Sequence, residues 1–278
     1  MIRLIITAAV MAIATSSPAK ELPPIMKTGR AEFGPEESQA KACDRALADA
    51  KQKVLREAFG EEIGQKSVLT CDQNIYQQTG NDCELFENTW STINTNGFIK
   101  KIVEPEGRRI TQETGFSVCL VTAYITLEEY DGQRDFAFET SISVSQGMNL
   151  RRSDKPIFEI ESNQPAFHYV YYWAPFVKAD QYEKLFPNPY DKQAEKVTHL
   201  RIPTGQATAN YKIDVSLPDG MTYSHEYLIL ISSKQPLKSP PDKITEVNFF
   251  RWLNSFNRED WTQSTVNYRV LGDSAWQN

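Results

Sequence analysis

The sequence predicts an α+β chain of two units: a small helix-on-sheet unit, then a β-sandwich with a C-terminal helix. Three observations carry this. A helical stretch from Glu36 to Phe59, with alanines on one face, precedes Phe116 to Leu127, a strand dense in β-branched and aromatic residues. Beyond a polar, turn-rich segment at Tyr130–Asp135, short strand-like runs separated by turn signals recur as far as Ser232. The chain has 278 residues, a length that favours two domains over one.

The first residues carry one cation, Arg3, then an apolar run from Leu4 to Ala14 and small residues at Ser17-Pro18-Ala19. Residues 1–19 are expected to be a cleaved signal peptide. The alternative is a membrane anchor, but the run falls short of the roughly 20 residues that span a bilayer. No cysteine near the cut offers a lipid attachment point, and no later segment is long and apolar enough to cross. The expected location is the periplasm of a Gram-negative bacterium.

The first unit is placed at residues 20–132. Met26 to Phe33 reads as a strand stopped by Gly34-Pro35. In the helix that follows, Ala42, Cys43, Ala46, Ala50, Val54 and Leu55 recur three and four apart, and Glu36 and Glu37 are expected in its first turn. Gly60 marks its end. Residues 67–83 read as a polar loop and Glu84 to Thr95 as a second helix. Gly97 to Val103 reads as a strand that continues past Arg108-Arg109-Ile110 to a turn near Thr114-Gly115. In the strongest strand, Cys119, Val121, Ala123, Ile125 and Leu127 share one face by period-two alternation.

The second unit is placed at residues 138–278. Ile142–Val144, Pro156–Ser162, Phe167–Trp173, Tyr211–Leu217 and Tyr223–Ser232 read as strands. The aromatic block His168 to Trp173 looks like a central strand, and the prolines from Pro187 to Pro203 look like the long loop leaving it. Pro218-Asp219-Gly220 is a turn signal. After Pro240-Pro241, Val247, Phe250, Trp252, Leu253 and Phe256 sit at helical spacing and should dock on the sandwich. Trp261 to Leu271 returns as a strand with Val266, Tyr268 and Val270 on one face.

Two stretches carry a resemblance. Ala42 to Ala50, Asn96-Gly97-Phe98-Ile99 and Val118 to Ile125 are similar to the N-terminal domain of the flagellar assembly T protein and its lipoprotein relatives. That resemblance implies an α+β domain in a periplasmic, envelope-associated assembly. Phe158 to Trp173, Leu185-Phe186-Pro187-Asn188, Arg201-Ile202-Pro203 and Leu217-Pro218-Asp219-Gly220 resemble domain-of-unknown-function family 4384. It implies an immunoglobulin-like β-sandwich and brings no known activity.

Chemistry is sparse. The net charge is −6, about −7 after cleavage removes Arg3, which argues against nucleic acid, since phosphate binding relies on clustered Lys and Arg. No GxSxG elbow, Walker loop or GxGxxG occurs. His168, His199 and His225 would need to converge to hold a metal, and none is expected; nor is a cofactor. Ser224 and His225 would face opposite sides of a strand. Glu159 and Glu161 share a strand face and could serve acid-base chemistry, but alternation with Phe158 and Ile160 suits a solvated face better. Lys100, Lys101, Arg108 and Arg109 form a basic cluster that could touch anionic lipid or polysaccharide, or simply be a wet strand face. Trp173, Phe176, Tyr182, Phe186 and Tyr190 are either a partner surface or sandwich core, and both readings stand. The function expected is a non-enzymatic binding or scaffold protein of a flagellar-like or secretion-like envelope assembly, with envelope protein partners and at most peripheral contact with a membrane. The alternative is an envelope hydrolase acting on cell-wall polymer.

Four cysteines in an exported chain, with no CxxC pair, favour disulfides over zinc. Cys43 lies on the apolar helix face and Cys119 on the inward face of the strongest strand, so helix-on-sheet packing brings them together. Cys71 and Cys83 flank one polar loop. Non-reducing peptide mapping is expected to find Cys43–Cys119 and Cys71–Cys83; a Cys43–Cys71 or Cys43–Cys83 link would break the argument.

Overall fold

The computed structural model describes residues 20–35, 37–59, 96–105, 107–113, 115–174, 181–192, 195–205, 212–215, 217 and 223–272. The signal-like start, the polar loop with Cys71 and Cys83, the second predicted helix, Phe176 and the Pro218-Asp219-Gly220 turn lie outside them. In the first unit, β1 (Ile25–Phe33), β2 (Gly97–Val103) and β3 (Arg108–Glu113) all pair antiparallel with β4 (Phe116–Glu129). β1 takes one edge of β4; β2 and β3 pair with its C-terminal and N-terminal parts. The single run expected from Gly97 past Ile110 is two strands: β2 ends at Val103 and β3 starts at Arg108.

Helix α1 (Gln39–Phe59) covers one face of this sheet, and the six residues expected on its apolar side are all buried. It begins three residues later than Glu36. Ser38 caps it by accepting from Lys41 N–H at 3.3 Å, and Glu37, outside the first turn, bonds Arg45 instead. The alanine stripe lets the helix come down onto the backbone of β1. A Cβ on Gly29 would overlap the Ala46 carbonyl oxygen, so only glycine fits. The expected Cys43–Cys119 disulfide is present, with Cα atoms 5.2 Å apart. It bridges α1 to β4 in the middle of a core of Ala31, Phe33, Ala42, Ala46 and Val121.

The second unit turns on β7 (Phe158–Trp173), the two expected strands fused into one. Its first half pairs with β5 (Thr140–Val144) and β9 (Val197–Ile202). Its second half pairs with β8 (Gln181–Phe186) and β10 (Tyr223–Ser233). β12 (Trp261–Leu271) follows β10, β6 (Asn149–Arg151) pairs parallel with β12, and β11 (Lys243–Thr245) extends β8. The short sheet lies over the long one in a sandwich-like arrangement with Ile142, Phe158, Ile160, Leu228, Leu230, Tyr268 and Val270 between them. The stretch expected to be a proline loop therefore holds a strand, β9, and another, β8, ends just before its first proline. Val215 and Leu217 fill this core without forming the strand expected there.

Helix α2 (Glu246–Leu253) covers the outer face of the long sheet. Phe250 and Leu253 are buried as expected, but Val247 is exposed and Phe249 takes its place. Phe98 of β2 and Tyr130 join this same cluster, so the two units share a core. Phe98 stacks on Phe250 at 5.9 Å, and Tyr130 meets Trp261 edge-on at 5.4 Å. Segment 130–135, expected as a linker, is tied down: Asp131 carbonyl accepts from Arg258 N–H at 2.7 Å, and Asp135 pairs with Lys234 at 2.8 Å.

Gly29→Ala is expected to cost about 3 kcal/mol, the upper part of the usual overpacking range, read as a lower urea midpoint. Replacing both Cys43 and Cys119 by Ala should cost about 4 kcal/mol in the chain-entropy model, because the bond closes a sequence separation of 76; an unchanged midpoint would contradict it.

Candidate functional site

The aromatic residues considered as a surface divide. Trp173, Tyr182 and Phe186 are core: Trp173 and Tyr182 pack under α2, and Phe186 lies between the sheets. The reason is pairing. A bulge in the β7–β8 pairing, between Lys184 and Phe186, turns Tyr182 and Phe186 to opposite covered faces of the long sheet although they stand four apart. Tyr190 remains exposed at 66% on the following turn. That turn is held by Asp191, which is buried and accepts from Thr204 N–H at 2.8 Å and Thr204 Oγ1 at 2.7 Å. The two motif prolines, Pro187 and Pro203, are thereby brought to one clasp.

The possible catalytic groups have structural partners. Glu161 is exposed and Glu159 half-buried; across β9 they face His199 and Arg201. His168 is buried where β7 passes from one sheet to the other. Its Nε2–H donates to the Val197 carbonyl at 3.1 Å, so in the neutral ring Nδ1 accepts from Ser232 Oγ at 2.8 Å. Ser232 Oγ lies 2.8 Å from Thr140 Oγ1. This chain stitches β5, β10 and β9 to β7. Desolvation lowers the His168 pKa. Desolvation, then the Arg269 charge, pushes His225 down to about 4. Among the described residues, no group of His, Cys, Asp or Glu could hold a metal ion. No helix among them is long and apolar enough to cross a membrane.

Besides Asp191, a second acid is buried. Glu226 of β10 points between the sheets, opposite Tyr268 on β12. Burial raises its pKa, while hydrogen bonds donated by Tyr268 and Tyr172 work against the rise. A charged residue on the same strand face as Leu228 and Leu230 was the available signal.

The basic cluster is also divided. Lys100 pairs with Glu21 at 2.7 Å and Glu128 at 3.0 Å; Arg108 pairs with Asp44 of α1 at 2.7 Å. Lys101 and Arg109 make no ion pair among the described residues, and both sit on the sheet face opposite α1. There Met26, Tyr124 and Val103 stand in one row across β1, β4 and β2, since Tyr124 is in register with both others. They are 55%, 41% and 44% exposed. In the parallel row toward the other end, Leu120 lies between Arg30 and Arg109. The second unit covers the Phe98 end of this face; the part around the Tyr124 row, uncovered among the described residues, is the candidate functional surface. No protein family, curated protein or solved structure matches the chain.

The two depressed histidines favour the neutral form on folding, so their contribution is complete above about pH 6.5 and lost as pH falls through their folded values. Glu226 has the opposite sign: its contribution is complete below about pH 4.5 and lost as pH rises through its raised value. Urea midpoints should therefore drop between pH 7 and pH 4, with His225→Phe flattening the drop. Glu226→Gln should gain relative to the parent as pH rises from 4.5 to 8; a constant difference would contradict the buried-acid assignment.

Proposed function

We propose that the chain is an exported, non-catalytic adaptor or scaffold of a bacterial envelope assembly. The observation that carries this is the open face of the four-stranded sheet, held in fixed relation to the second unit by the Phe98–Phe250 and Tyr130–Trp261 contacts. A face of three exposed apolar side chains, between cations that make no ion pair among the described residues, has the composition of a recognition surface. The other polar groups support the same reading: His168, Ser232 and Glu226 are buried between strands, and Glu159 and Glu161 face Arg201 and His199 across the β7–β9 pair. The signal-like start supports export, and the motif resemblances support an immunoglobulin-like sandwich behind a flagellar-assembly-T-like first domain. In this reading the sandwich is the rigid mount and the first unit presents the binding face.

Cell fractionation with chemical cross-linking tests it. The protein should leave cells with the periplasmic fraction and cross-link into an envelope complex. A cytoplasmic protein, or one that stays monomeric and unattached, would contradict the proposal.

A further inference from the structure

We propose that the outer face of the four-stranded sheet binds an extended, acidic polypeptide segment, seated on the Met26–Tyr124–Val103 row and held by Lys101 and Arg109. This deepens the adaptor reading and rests on it. The row crosses three adjacent strands, a strip about 10 Å wide, which is the footprint of a single polypeptide strand laid on a sheet. Lys101 is in register with Thr126 and Arg109 with Leu120, so the two cations flank the row at opposite ends of the strip. Six positions along β4 separate those partners, about 20 Å at strand rise. A ligand running along β4 would answer this with carboxylates about six positions apart and apolar side chains between them.

Charge selects among possible occupants. A second copy meeting this face by its own would set Lys101 and Arg109 against like cations, so self-association is disfavoured. A bilayer of anionic lipid would press on Glu32 and Glu113 as well, which lie at the Arg30 end of the same face and bond that arginine. A polypeptide can place its acids only where the free cations are.

The test uses a fluorescent peptide with glutamates six positions apart and alternating valine and threonine between them. A lysine analogue of that peptide and phosphatidylglycerol vesicles run in parallel. The acidic peptide should bind saturably to the whole protein, weaken with salt, and lose at least fivefold in affinity in Lys101→Glu/Arg109→Glu and in Tyr124→Lys. Lys101→Ala/Arg109→Ala should lose less, with an unchanged melting temperature. Equal binding of both peptides, indifference to these substitutions, or preference for vesicles would overturn the proposal. So would a Tyr124→Cys thiol that fails to react with a maleimide in the native protein. Peptide binding without any envelope cross-link would remove the adaptor reading and leave the surface; cross-linking that survives both substitutions would remove only the surface.

Discussion

β10 is buried on both of its faces, and most of the architecture answers that demand. Leu228 and Leu230 look into the space between the sheets, while Tyr227, Ile229 and Ile231 look the other way. A strand apolar on both sides needs two covers. The short sheet of β5, the first half of β7 and β9 supplies one. The second is assembled from pieces far apart in sequence: α2, Trp261, and Phe98 and Tyr130 from the first unit. Each large aromatic there removes roughly 150–250 Å² from water, so the cover is worth more than any polar contact across the same boundary.

This explains why the polar groups of the second unit are so tightly arranged. β7 must serve both sheets, and His168 stands at the point where it changes partners. Its two ring nitrogens reach β9 and β10, and a third strand, β5, joins through Thr140. A buried imidazole with both nitrogens engaged fixes strand register more sharply than another leucine could. Arg258, also fully buried, sits 3.9 Å over the Trp261 ring and donates to the Trp261 carbonyl. It fastens the turn before β12 to the aromatic cover, next to Asp131 and therefore next to the first unit.

Much of this was legible in the sequence, for physical reasons. The α1 face, the β4 face and the Cys43–Cys119 link followed from periodicity, because a helix on one side of a small sheet leaves one arrangement for its apolar residues. The β10 and β12 strands were legible for the same reason. What escaped was whatever depended on distant pairing. β8 and β9 hide between prolines because their fully buried residues, Tyr182, Phe186 and Ile202, are each covered from far along the chain. The fusion of two strands into β7 was hidden by the polar Ser162–Gln164 stretch, which alternation alone reads as a break. That the linker is held in place was not legible, because Tyr130 is the only apolar sign of its burial. The four basic residues of β2 and β3 look alike in sequence; register divides Lys100 and Arg108, which meet acids, from Lys101 and Arg109, which meet none among the described residues.

The functional reading depends on the two units acting as one body, since a face presented by a loosely tethered unit would have no fixed orientation. The joint is the Phe98–Phe250 contact. A double-mutant cycle of Phe98→Ala and Phe250→Ala measures it directly through unfolding free energies. Coupling of about 1 kcal/mol or more is expected for a buried aromatic pair that shares one core. Additivity within about 0.3 kcal/mol would mean that the units do not depend on each other, and would contradict the shared core.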